Sequence, residues 1–113
     1  MRLKSAILVA ALVRRANTEG AFAAVVKRGA EEAGAIFVKI ARLDGTADLY
    51  APAPQSSFAT DDDGVRLFEA VMNAEPERDV EARLASERKF DSDLWIVEIE
   101  DRQGRSFVDL AKA

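Results

Sequence analysis

The chain has 113 residues, of which 49% are apolar and 32% charged, and it contains neither cysteine nor histidine. That balance describes one globular domain over residues 1–113 and excludes a disordered tail. It also excludes thiol nucleophiles, histidine bases, Ser-His-Asp triads, disulfides and Cys/His zinc sites, so no catalytic residue, metal or cofactor is expected.

The net charge of −4 is unevenly spread: residues 1–50 carry eight Lys/Arg against five Asp/Glu, and residues 51–113 carry eight against fifteen. Opposed halves attract within one fold or head to tail between copies. A pI of about 4.9 argues against nucleic acid as a partner.

Arg2 and Lys4 precede an apolar run from Ala6 to Val13, which has the outline of a secretory signal. Arg14 and Arg15 follow where a small-residue cleavage site would have to stand, and eight apolar residues fall short of the ~20 that span a bilayer. No membrane association is expected, and the location is read as cytoplasmic. With apolar residues on both parities, the run reads as a central strand covered on both faces.

Asn17 or Thr18 as cap, Glu19 in the first turn, Phe22, Val25 and Val26 at helical spacing, and Lys27-Arg28-Gly29 at the end predict a helix over roughly 18–29. From Ala35 the period becomes two. Asp44-Gly45 then predicts a two-residue type I′ hairpin, with Ile40 opposite Leu49 and Lys39 opposite Tyr50. That register puts Phe37, Lys39 and Tyr50 on one sheet face.

Ala51-Pro52-Ala53-Pro54-Gln55 is a stiff extended connector, and Ser56 to Gly64 reads as a polar loop. Residues 65–73 alternate like a strand. A charged helix follows from about Glu77 to Lys89, with Val80 and Leu84 inward and Asp79, Arg83 and Glu87 spaced to pair along its wet face. Leu94 to Ile99 is a strand with Trp95, Val97 and Ile99 on one face and Glu98 on the other. A turn at 101–104 precedes a short strand or packed tail at Phe107 and Val108. The expected fold is α+β, approximately β-α-β-β-β-α-β, a largely antiparallel sheet with two helices packed on one face.

Arg42-Leu43-Asp44-Gly45-Thr46, the Ala51–Gln55 connector and above all the stretch from Arg88 to Asp101 resemble the domain-of-unknown-function family 1491, small proteins of alphaproteobacteria. The resemblance covers nearly the whole chain. It implies a bacterial cytoplasmic protein of one domain and brings no catalytic residues with it.

Phe37, Lys39 and Tyr50 form the candidate binding patch, and Trp95 a candidate interface anchor. Gly34 to Ile40 is similar to an RNA-recognition strand, but Ala35 and Ile40 stand where stacking aromatics belong. Asp61, Asp62 and Asp63 lack calcium-loop spacing, because Met72 occupies the twelfth position. Asp91, Asp93, Glu98, Glu100 and Asp101 are the remaining carboxylate concentration. Arg14, Arg15, Lys27 and Arg28 are a candidate basic cluster for an acidic partner. No phosphate-cradling glycine motif is present. The expected function is a non-enzymatic, self-associating interaction module whose partner is a second copy or another protein. The alternatives are a ligand site or enzyme built on residues 91–101, and RNA binding on the Phe37 face.

Overall fold

A computed structural model describes residues 3–54 and 66–111 of the chain. The aspartates at 61–63 and the polar loop around them lie outside the described residues. The elements are α1 (Ser5–Thr18), β1 (Phe22–Lys27), β2 (Ile36–Ala41), β3 (Thr46–Pro52), β4 (Phe68–Pro76), α2 (Glu77–Phe90) and β5 (Trp95–Glu100). One mixed sheet has the order β1-β5-β2-β3-β4, with β2 and β5 parallel and the other neighbours antiparallel. The protein is thus a single α+β domain, with two helices and five strands among the described residues. Among the described residues, no helix is long and apolar enough to cross a membrane.

The first two elements exchange identities relative to the sequence expectation. Residues 6–13 belong to helix α1, which buries Ser5, Val9, Leu12 and Ala16 along one side. The apolar run alone fits either state. The good helix formers Arg14, Arg15 and Ala16 extend it without a break to Gly20, whose φ of +96° ends the element. The expected helix at 18–29 is instead strand β1. Between Gly20 and Gly29 there is room for only two turns of helix, whereas β-branched Val25 and Val26 suit a short edge strand. Gly29 is not a helix cap: a Cβ there would lie 2.2 Å from the Asp93 carbonyl oxygen, so glycine serves close backbone approach.

The two helices lie on opposite faces of the sheet, not on one. Val9, Leu12 and Ala16 of α1 pack with Ile36, Val38, Ile40, Val97 and Ile99. Val80 and Leu84 of α2 pack with Phe37, Leu49, Leu94 and Ile96. Strands β2 and β5 are apolar on both parities, so each face needs its own cover. The chain end after β5 packs as a tail. Phe107 and Val108 join the α1-side core, and Leu110 bridges to Phe68 at the start of β4.

The β2–β3 hairpin is one residue longer than expected. Arg42 N–H donates to the Thr46 carbonyl (3.0 Å), enclosing Leu43, Asp44 and Gly45, with positive φ at Leu43 and Gly45. Asp44 steadies this loop by accepting from the Thr46 N–H (2.9 Å) and hydroxyl (2.6 Å). The register therefore pairs Lys39 with Leu49 and Val38 with Tyr50. A shift of one residue turns every β3 side chain to the other face relative to β2.

Candidate interaction surface

The register shift separates the expected patch. Phe37 and Lys39 face α2, while Tyr50 faces the α1 side beside Val38, where burial and the Asp48 charge push its phenol upward. Phe37 is only 7% exposed and Lys39 only 3%. Trp95 is 1% exposed; its indole N–H donates to the Ala30 carbonyl (2.8 Å), and the Arg28 guanidinium lies 5.0 Å from its ring. It anchors the core on the α1 side and presents no surface to a partner.

Lys39 is the hub of a charged cluster at the inner side of α2. Its Nζ donates to Glu77 (2.7 Å) and to Glu81, and Glu98 lies 3.7 Å away. Position explains each partner: Glu77 and Glu81 are one helical turn apart on α2, and the parallel register sets Glu98 directly beside Lys39. Burial by itself would lower the lysine, but the hydrogen bonds to Glu77 and Glu81 and the Glu98 charge overcome it and raise its pKa. Burial also raises Glu98, against the pull of Lys39 and with the push of Glu81, Glu77 and Glu100. Lys39 is thereby held cationic and is not a free amine for nucleophilic chemistry.

The five carboxylates of 91–101 do not converge. Asp91 accepts the Asp93 N–H in a turn (2.9 Å). Asp101 accepts from the Arg105 backbone N–H (2.8 Å) and guanidinium (3.0 and 3.1 Å), which hold its carboxyl below the usual range. Glu98 and Glu100 face the α2 side opposite Ala24 and Phe22. The four basic residues also part company. Arg14 and Arg15 lie exposed on α1, Lys27 Nζ donates to the carbonyls of Arg28, Ser92 and Leu94, and Arg28 stacks on Trp95.

What the sequence reading did not single out is the half of the sheet that α2 leaves open. Helix α2 lies over β3 and β4, whereas α1 lies over β1 and β5 on the other face. On the α2 side, Phe22 and Val26 of β1 remain 59% and 55% exposed. Val26, with Leu84, Ala85 and Ile96, lines a groove of about 260 Å³ whose charged members are Lys39, Glu81, Arg88 and Glu98. Phe22 and Val26 were hidden in the sequence because their segment read as a helix, where their spacing assigns them to a buried stripe. Read as a strand, the parity of Phe22 and Ala24 against Ala23 and Val25 separates the faces.

The outer edge of β1 is guarded. Ala23 N–H donates to Asn17 Oδ1 (2.9 Å), and Asn17 Nδ2 donates to the Ala23 carbonyl (3.2 Å), so one side-chain amide takes both backbone groups as a neighbouring strand would.

The profile of a family described as "Protein of unknown function (DUF1491)" matches residues 3–109. The chain belongs to the DUF1491 family. A solution structure of an A. tumefaciens protein is 48% identical, with a TM-score of 0.85, over 100% of this chain and 98% of the other. A crystal structure of a DUF1491 protein from Caulobacter crescentus CB15 is 37% identical, with a TM-score of 0.80, over 99% and 100%. An NMR structure of a DUF1491 protein from the same organism is 40% identical, with a TM-score of 0.78, over 100% and 99%. No curated protein matches the chain. The DUF1491 description carries no activity, and a fold alone does not specify one.

Proposed function

We propose that this DUF1491 protein is a non-enzymatic cytoplasmic interaction module whose open half-face receives an amphipathic helix carrying basic side chains. The observation that carries this reading is the exposure of Phe22 and Val26 beside the groove along α2. Contiguous exposed apolar side chains with a polar rim mark protein contacts, and a groove next to a helix fits a second helix laid alongside it. The occupant is a helix and not an added strand, because Asn17 already occupies Ala23 at the β1 edge. Its charge follows from the surroundings: Lys39 and Arg88 balance Glu81 and Glu98 in the groove itself, and the excess is acidic because Glu77 also sits on Lys39 and Glu100 stands opposite Phe22, so a basic helix is favoured on encounter. Support for the cytoplasmic location is that Val9 and Leu12, the middle of the signal-like apolar run, are core residues of the fold.

The test is a titration of isotope-labelled protein with two synthetic helical peptides sharing one apolar stripe, one flanked by Lys/Arg and the other by Asp/Glu. The basic peptide is expected to shift amide signals of Ala24, Val26, Ala85 and Glu98, and to do so less at high salt. Equal inertness of both peptides would overturn the reading.

A further inference from the structure

We infer that the helix received by the open half-face is α1 of a second copy of this chain, docked head to tail. The inference rests on the helix-receiving reading above and names its occupant. The outward side of α1 presents Lys4, Ile7, Ala10, Ala11, Arg14 and Arg15, all exposed, at the i, i+3, i+4, i+7 spacing of one stripe. Ile7 is 51% exposed. The stripe is apolar in its middle and basic at both ends; the groove has an apolar floor of Val26, Leu84, Ala85 and Ile96, with Lys39 and Arg88 against Glu81 and Glu98, and Glu77 on Lys39 and Glu100 opposite Phe22 supply the acidic excess that the basic ends can meet.

Size and shape agree. Fourteen helical residues extend about 21 Å at ~1.5 Å each, and the six residues of β1 extend about 20 Å at ~3.3 Å each. Ala10 and Ala11 are small enough to let the helix axis approach the projecting Phe22 and Val26. Lys4 and Arg15 already meet Glu32 (3.9 Å) and Glu19 (3.3 Å), but both pairs are exposed to water, where such partners exchange at little cost.

The groove lies between α2 and strands β1, β5 and β2, on the sheet face opposite to the one that α1 covers. One copy therefore offers its helix to one neighbour and its groove to another. Such a contact is heterologous, and it propagates as a ring or an open chain instead of closing as a two-fold dimer.

Analytical ultracentrifugation of the full chain over a concentration series is the first measurement, with the mean mass expected to rise with concentration at low salt and to fall when salt is added. Val26→Lys disables the groove and Ile7→Glu disables the helix, and both positions are exposed enough for the fold to persist. Each variant alone is expected to stay monomeric, while an equimolar mixture forms one dimer and nothing larger, because only one intact groove and one intact helix remain to meet. Should either variant lose the native amide spectrum, Phe22→Lys and Arg14→Glu form an equivalent pair. A wild-type chain that sediments as a monomer at every concentration, or a mixture that stays monomeric, would overturn the inference. If the basic peptide still shifts the groove amides in that case, the helix-receiving reading stands without α1 as occupant. If the peptide is also inert, both fail.

Discussion

The two faces of the sheet are built from the same strands and finished differently. On one, α1 covers β1 and β5, and the chain end supplies Phe107 and Val108 to the same core. On the other, α2 covers β3 and β4, while Phe22 and Val26 keep more than half of their surface in water. Apolar composition does not separate the faces, since β2 and β5 feed both. What separates them, among the described residues, is the number of covering segments: two on the first and one on the second. Fold stability is accordingly concentrated in the doubly covered strands, and binding capacity lies in the part left over.

The contrast is most sharply tested by truncating a side chain from each part. Trp95→Ala removes a buried ring and its hydrogen bond to Ala30 and is expected to cost about 3–5 kcal/mol in denaturant unfolding. Val26→Ala, on the open part, is expected to stay within about 0.5 kcal/mol. Comparable losses at the two positions would mean that the open half-face is a structural surface after all.

A smaller effect is expected at the boundary between covered and open regions. Lys39→Met leaves Glu98 without its cation and is expected to cost about 1–3 kcal/mol. The pH dependence has a definite sign. Glu98 is raised in the fold above its ordinary value of 4.5, so the unfolded chain releases this proton first. Its contribution to stability is present below 4.5 and is lost as pH rises through the higher folded value. Removing Lys39 takes away the pull that opposes this rise, so the Glu98 carboxyl resonance should titrate at still higher pH in the variant. An unchanged or lower midpoint would show that Lys39 does not govern Glu98.

A further effect is expected at the guarded edge. Asn17→Ala gives up two hydrogen bonds to Ala23, about 1 kcal/mol each in net terms. It also presents the Ala23 backbone groups to other chains. The variant should exchange its Ala23 amide faster than wild type and acquire association that persists in salt, unlike the charged contact proposed for α1. If Ala23 exchange is unchanged, Asn17 is not the guard.

The sequence made the second half of the fold legible and misassigned the beginning. Glu77–Phe90 announced itself because Val80 and Leu84 stand four apart amid charges, and Trp95–Glu100 because Trp95, Val97 and Ile99 alternate with Glu98. Those patterns arise where one face is apolar and the other polar. In Ser5–Thr18 and Phe22–Lys27 the outer sides also carry Ile7, Ala10, Phe22 and Val26, so the contrast that reveals a period is missing. The same residues form the proposed contact. The apolar outer surfaces that obscured the secondary structure are therefore the ones with a use outside the fold. Lys39 is the charged residue of an otherwise apolar strand, which the sequence makes plain, but its three glutamates come from two distant elements. Only the packing of α2 and the β2–β5 register brings them together.

Strand β5 is the last strand to be synthesised, and it lies between β1 and β2 near the start of the chain. Until Trp95 to Glu100 have left the ribosome, β1 lacks its antiparallel neighbour and β2 lacks its parallel one. Closing the sheet joins Phe22 to Glu100, 78 positions apart, which is the kind of non-local pairing that slows folding. Helix α1, already complete, has only its own apolar stripe to shelter during that interval. Strands β1 and β2 thus stay without this partner until β5 becomes available, and dependence on chaperones should be greatest during that interval.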